Sequence, residues 1–333
     1  MTVRAAAPGR VNLLGDHVDY VGGIVLPMAI DLGITVTFEP GGDRLELQSD
    51  NEAEPATVAL PAPGQPPESP AWARYPAAVA HEMGATTGGV GTVTSTLPAG
   101  AGLSSSAALE IALALALGAD PDDKMALAWL CQRAEHRATG VPTGLMDQLA
   151  ILHGQPGAAL LIDCRALTVA PVALPAGTAV HAVHCGVSRR LEGSEYADRR
   201  RQCEVAESVV GALRDASLAA VEAIDDAVVR RRARHVVTEI ARVAEAAGTD
   251  DPHHLGQLMD ASHRSLRDDF EVSIPELDDL VEQLRTTDGV YGARLTGAGF
   301  GGCAVALVDA DIPAEVVGGW RLVPSAGAAV ERQ

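Results

Sequence analysis

The spacing of apolar positions divides the chain into a first half that mixes strands with helices and a second half dominated by helices. Residues 34–38 and 44–48 alternate in polarity or carry β-branched side chains, which predicts strands. The same signature recurs around Val93, Thr94 and Thr96, and at residues 158–162 and 179–184. Residues 72–83 predict a helix, as do residues 122–137, which open on acid and end near arginine, the polarity that suits a helix dipole. An apolar run at 107–117 predicts a further helix and is too short to span a bilayer. In the second half, residues 196–212, 228–247, 252–268 and 274–285 predict helices, and residues 294–308 close as strand, glycine loop, strand. The segment PAPGQPPESP at 61–70 has the composition of a surface loop. No internal repeat is visible. Turn chemistry in DCRALTVAPVALPAG places a boundary near residues 165–178, giving expected domains of 1–170 and 171–333.

The length of 333 residues agrees with two domains. A formal charge of −19 argues against a sequence-independent grip on nucleic acid or an anionic membrane. Lys124 is the single lysine, so the G-x-x-x-x-G-K-[ST] phosphate loop is absent. Phosphate would have to be met by backbone N–H groups, arginine and a cation, which for an acidic chain points to Mg²⁺. The five cysteines are scattered, with no C-x-x-C, which fits a reducing compartment and argues against zinc. The N-terminus lacks the long apolar stretch of a signal peptide, so the expected location is the cytoplasm.

Four segments carry candidate chemistry. LPAGAGLSSSAALE, residues 97–110, reads as strand end, glycine loop and helix N-terminus, a seat for phosphate. Its serines Ser104, Ser105 and Ser106 can bond phosphate or hold Mg²⁺; a capped core helix is the plainer alternative. In GRVNLLGDHVDYVGG, residues 9–23, Asp16, His17 and Asp19 lie close together between glycines that favour a turn. They could orient a polyol or form a solvated turn, and Arg10 nearby can partner a carboxylate or phosphate. In CQRAEHRATGVPTGLMDQ, residues 131–148, Glu135 lies late in one helix and Asp147 in the first turn of the next, with Thr143 as a candidate N-cap. That spacing fits two carboxylates facing one cleft, although capping alone would also account for Asp147. LTGAGFGGC, residues 295–303, contains G-x-G-x-x-G, but CAVALVDAD after it predicts a strand. The dinucleotide fingerprint is therefore rejected in favour of a flexible wall over a ligand. His181 and His184 fall three apart on a predicted strand, a poor metal pair, and His253 and His254 look like surface residues. No G-x-S-x-G is present.

Together these motifs resemble those of the GHMP small-molecule kinases, and within them the galactokinases. GRVNLLGDHVDYVGG looks like the galactokinase signature, AGLSSSAALE like the family phosphate loop and RLTGAGFGGC like the third motif. LLIDCRAL, GSEYADRRRQCE, RRARHVVTEI and LMDASHRSLRDDFEVSIPELDDLV extend the likeness in the expected order, from about residue 7 to 308. The resemblance implies an α+β GHMP kinase fold, with a ribosomal-S5-like N-terminal domain, a ferredoxin-like C-terminal domain and the active site in the cleft between them. It implies ATP-dependent phosphorylation of the anomeric C1 hydroxyl of an aldose, galactose first. By motif position, Asp147 would be the catalytic carboxylate with Arg10 as its cationic neighbour. Asp16, His17, Asp19, Gly144 and Tyr196 would bind the sugar. Gly100, Ala101, Gly102, Leu103, Ser104, Ser105 and Ser106 would bind ATP, Trp72 would line the base pocket, and Ser106 and Glu135 would hold Mg²⁺.

The departures gather at the sugar end. Galactokinases usually carry Glu at Asp16, and Thr and Asn at Val18 and Val21; a basic residue common before the Ser-x-x-Tyr region is Ser188 here, followed by Arg189 and Arg190. The chain starts almost at the first motif, and its tail, IPAEVVGGWRLVPSAGAAV, is expected to lack a helix between the last strands. A 1-kinase for a C6-extended heptose or octose is the alternative within the class, and a non-catalytic sugar sensor the alternative outside it. The expected partners are a small sugar and ATP, with no nucleic acid or membrane, in a monomer or weak homodimer.

Overall fold

The structure, a computed structural model, describes residues 2–188 and 194–333. The chain opens with β1 (Val3–Asn12), β2 (Ile24–Val25) and the long β3 (Pro27–Pro40). β4 (Arg44–Ser49), β5 (Ala56–Ala59), α1 (Arg74–Glu82) and β6 (Gly89–Ser95) follow. Three helices come next, α2 (Ser105–Ala116), α3 (Lys124–Thr139) and α4 (Met146–His153), then β7 (Ala158–Asp163), β8 (Thr168–Ala173) and β9 (Thr178–His184). The helical half contains α5 (Ser194–Val210), α6 (Leu218–Glu222), α7 (Ala227–Ala246), α8 (Pro252–Asp268) and α9 (Pro275–Arg285). The chain closes with β10 (Val290–Leu295), β11 (Cys303–Asp309), α10 (Ala314–Val317), β12 (Trp320–Leu322) and β13 (Ala329–Arg332).

The first sheet runs β13-β1-β3-β6-β4-β5, antiparallel except for the β4–β6 pair. α2 packs on β1 and β3, and its residues 107–116 are all buried, so the apolar run in the sequence is a central core helix. The second sheet runs β10-β11-β9-β12 and carries α8 and α9 against β10. A small third sheet, β2-β7-β8, lies beside α7, which packs on β2. β13 returns to pair with β1, so the end of the chain completes the sheet that its beginning starts. Contrary to expectation, the tail does contain a helix, the single turn α10, seeded by Pro313 ahead of its first residue and stopped by Gly318 at φ 77°. No helix among the described residues is long and apolar enough to cross a membrane.

Two local features aim the chain at one place. The pairing of β1 with β3 shifts register between Pro8 and Arg10, a bulge that redirects the strand; beyond it Arg10, Val11 and Asn12 are all buried. The loop before α2 then lies against this end of β1, where the Arg10 N–H donates to the Leu103 carbonyl at 3.2 Å.

Candidate active site

A cleft of about 240 Å³ opens between the end of β1, the loop before α2, the start of α4 and the loop joining β10 to β11. At its centre Arg10 grips Asp147 with a two-pronged ion pair, Nε to Oδ1 at 2.7 Å and Nη2 to Oδ2 at 2.6 Å. The third arm of the guanidinium, Nη1, donates to the Gly102 carbonyl at 2.9 Å, and Ser104 Oγ donates to Asp147 Oδ2. The planar fork of arginine suits this task, since one side chain fixes a carboxylate and the neighbouring loop together. Burial works against the Arg10 charge, yet the adjoining Asp147 carboxylate holds its pKa above the ordinary value. The loop itself turns through left-handed backbone at Gly100, Gly102 and Ser104. Its N-cap residue, Ser104, makes no side-chain bond to the α2 N-terminus, whose first-turn N–H groups point towards the cleft end of the helix.

The opposite side of the cleft is built by the turn after β1. Asp19 sits against Gly144 so closely that a Cβ on Gly144 would lie 1.8 Å from its Oδ2; only glycine leaves room for this carboxylate. Withdrawal from water, and secondarily the negative charge of Asp147, raise the Asp19 pKa to about 6. His17 Nε2 lies 3.1 Å from the Ala298 carbonyl, and its ring packs on Phe270 and Tyr196 at 4.8 and 5.3 Å. Asp16 is buried in an ion pair with Arg294 Nη2 and also accepts the Gly297 N–H at 3.0 Å. Around it, His235 Nε2 meets the Asp16 carbonyl at 3.1 Å, and Glu239 Oε1 accepts the Gly15 N–H at 2.9 Å. Burial opposes the Glu239 charge, but Arg242 and Arg294 hold its pKa down at about 2.

Ser106 Oγ donates to Glu135 Oε1 at 3.0 Å, while Glu135 Oε2 accepts from Thr143 Oγ1 and Gln148 Nε2, each at 3.1 Å. Burial, and then repulsion from Asp147, push the Glu135 pKa up, so a nearby cation would be welcomed there. A hydroxyl beside one carboxylate is a hard-oxygen set, and no cluster of three or more His, Cys, Asp or Glu suited to a metal occurs among the described residues. Such a sparse set fits Mg²⁺, which keeps waters and takes phosphate oxygens to complete its shell.

The chain matches the galactokinase galactose-binding signature over residues 2–40, the GHMP kinases N terminal domain over 74–155 and the GHMP kinases C terminal model over 243–323. It is 44% identical to galactokinase of Canis lupus familiaris over 334 aligned residues, covering 94% of this chain and 85% of that protein. Against galactokinase of Homo sapiens it is 45% identical, covering 92% of this chain and 83% of that protein. The chain belongs to the galactokinase family of GHMP kinases. The crystal structure of Lactococcus lactis galactokinase complexed with galactose superposes with a TM-score of 0.89 at 29% identity, over 98% of this chain and 95% of that one.

Most residues expected from the galactokinase resemblance meet in this cleft. Arg10, Asp16, His17, Asp19, Gly100, Gly102, Ser104, Ser105, Ser106, Glu135, Gly144, Asp147 and Tyr196 all line it. Ala101 and Leu103 do not; their side chains turn into the core. Trp72 is also absent from this wall, being buried ahead of α1 with its indole N–H on the Glu54 carbonyl at 2.9 Å. Thr143 is no helix cap. The N-cap of α4 is Leu145, because the helix begins two residues later than a Thr143 cap would require, and the Thr143 hydroxyl donates to Glu135. The β10–β11 loop is a tethered wall rather than a flexible one: Thr296 exchanges two bonds with Asn12, Gly297 binds Asp16, and the Phe300 N–H donates to Val272. Ser188 packs its side chain near Gly100, whereas Arg189 and Arg190 lie outside the described residues. His181 is buried on the Gly318 carbonyl, and His254 pairs with Glu245.

The residues that sequence reasoning missed are those that brace Asp16 and its turn from positions far along the chain. Arg294 is the first residue of RLTGAGFGGC, and His235 and Glu239 lie four apart on α7, hence on one face. That spacing inside RRARHVVTEI was the available signal. Glu110, one turn beyond Ser106, is also buried; burial, then Glu135 and Asp147, push its pKa well above the carboxylate range.

Proposed function

We propose that the protein transfers the γ-phosphoryl group of ATP to the C1 hydroxyl of galactose, giving galactose 1-phosphate and ADP. The observation that carries this reading is Asp147, held by the Arg10 fork and joined through Arg10 and Ser104 to the loop that ends at α2. A carboxylate at the mouth of a phosphate seat is placed between an acceptor hydroxyl and a phosphoryl donor. The names of the 44–45% identical relatives supply the sugar.

The residues 100–106 and the first turn of α2 would hold the phosphates through backbone N–H groups and the helix dipole. Ser106 and Glu135 would hold Mg²⁺, which when bound supplies neutralisation of phosphate charge. Asp19, His17, Gly144 and Tyr196 would orient the sugar, with Asp16 holding the wall behind them; the placement of Trp72 on the adenine side rests on family position alone. The galactose O1 attacks the γ-phosphorus as the bond to the β–γ bridging oxygen breaks and ADP leaves. The O1 proton passes to Asp147. Phosphoryl transfer has a loose transition state, so positioning and charge carry most of the effect, and a placed base adds about 10²–10⁴-fold. The cleft divides residues 1–170 from 171–333 in this reading, with β13 reaching back to the first sheet.

The test is ADP release by the purified protein with ATP, Mg²⁺ and a panel of aldoses. Galactose should be the best substrate of the panel. Preference for a heptose or octose would replace galactose with an extended sugar, and no turnover of any aldose would refute the kinase reading.

A further inference from the structure

Ser104 occupies backbone that L side chains rarely adopt, with φ 62° and ψ 47°. The same loop meets this need with glycine at Gly100 and Gly102, at φ 70° and 76°. Glycine carries no Cβ penalty in that region, so a serine there is strained and something must hold it. Helix capping does not, since Ser104 is the N-cap of α2 yet makes no side-chain bond to the helix. Its hydroxyl is buried and donates to Asp147 Oδ2, which also accepts from Arg10 Nη2. A serine has one hydroxyl proton, and the proton given to Asp147 is not available to a phosphate oxygen. Two routes therefore join the loop to the carboxylate, one from Gly102 through Arg10 and one through Ser104.

We propose that Ser104 is a positioning residue for Asp147, a strained serine whose hydroxyl fixes the rotation of that carboxylate and ties it to the seat of the phosphates. The two reacting partners are thereby held to one frame: the loop that would carry the γ-phosphate and the group that would face the sugar O1 cannot drift apart. This inference rests on the role given to Asp147 above.

The test compares Ser104→Gly, Ser104→Ala and Asp147→Asn in the full-length protein, by steady-state kinetics and thermal unfolding. Ser104→Gly removes the hydroxyl and the strain together. It should unfold at or above the wild-type temperature, keep both KM values within about threefold and lose at least about tenfold in kcat. Ser104→Ala keeps the strain and should lose kcat to the same degree while unfolding at a lower temperature than Ser104→Gly. A serine that serves the fold alone would give the reverse, with Ser104→Gly losing stability and retaining kcat per folded molecule. Wild-type kcat in both Ser104 variants beside an inactive Asp147→Asn overturns the role of Ser104 and leaves that of Asp147 standing. An active Asp147→Asn overturns both.

Discussion

The proposed sugar-side role of Asp19 predicts galactose binding that depends on pH in a window where few carboxylates titrate. Its pKa is lifted to about 6, first by withdrawal from water and then by Asp147. A sugar hydroxyl donates best to the ionised form, so productive binding follows the charged fraction. With a pKa near 6 that fraction is about nine-tenths at pH 7 and about one-tenth at pH 5. kcat/KM for galactose, at saturating ATP and Mg²⁺, should therefore fall about tenfold between those pH values, with a break near 6 and unit slope below it. Asp19→Asn keeps the shape and removes the titration. Its profile should lose the break, and its value at pH 7 should drop by the worth of a hydrogen bond to a charged group, about 1.5–3 kcal/mol, or roughly 10- to 150-fold. Stability should move the other way. A carboxylate whose folded pKa exceeds its unfolded value of 3.8 weakens the fold as pH rises from about 4 to 6, and the penalty persists above that. Asp19→Asn should therefore gain on the wild type at pH 7 and lose that gain at pH 4. A break near 6 that survives in Asp19→Asn would refute the assignment, as would a wild-type profile flat to pH 5.

Other perturbations follow from the same geometry. Gly144→Ala sets a Cβ where Asp19 Oδ2 now lies, 1.8 Å away, so it should raise KM for galactose at least about tenfold and leave KM for ATP nearly unchanged; equal effects on both would contradict the sugar-side placement. Asp16→Glu adds a methylene to a buried ion pair and should cost about 1–3 kcal/mol of stability with no gain in kcat/KM for galactose. A gain, together with poor galactose turnover by the wild type, would favour an extended sugar. Ser106→Ala and Glu135→Ala should lower activity in a way that excess Mg²⁺ partly restores, and loss insensitive to Mg²⁺ would count against their placement.

The parts of the fold governed by local pattern were legible. The amphipathic α7, α8 and α9 announce themselves by period, and α2 by its apolar run, interrupted by Glu110, behind the glycine loop. β1 was not, because Ala5 and Ala7 alternate with Arg4 and Ala6, and alanines on both faces give little contrast between buried and exposed positions. At the site, motif residues pointed to the cleft, but their partners were hidden by sequence distance. The Asp16–Arg294 pair spans 278 positions and the Gly15–Glu239 bond 224, and no local rule reaches across such gaps. Thr143 shows a local rule losing: a capping residue by type, it stands two positions ahead of the α4 N-cap, Leu145, and donates to Glu135. Ser104 shows another, since neither propensity nor capping places a serine in left-handed backbone.

The most direct test of the account is the product formed by the wild type and by Asp147→Asn from galactose, ATP and Mg²⁺, followed by phosphorus NMR. The wild type should yield a sugar phosphate at C1, with ADP in equal amount. Asp147→Asn, with Arg10 and Ser104 still able to bond its side chain, should bind galactose within about an order of magnitude of the wild type and turn over at least about 10²-fold more slowly. A variant that keeps more than about a tenth of wild-type kcat, or a wild type that phosphorylates galactose elsewhere than C1, would contradict the central claim.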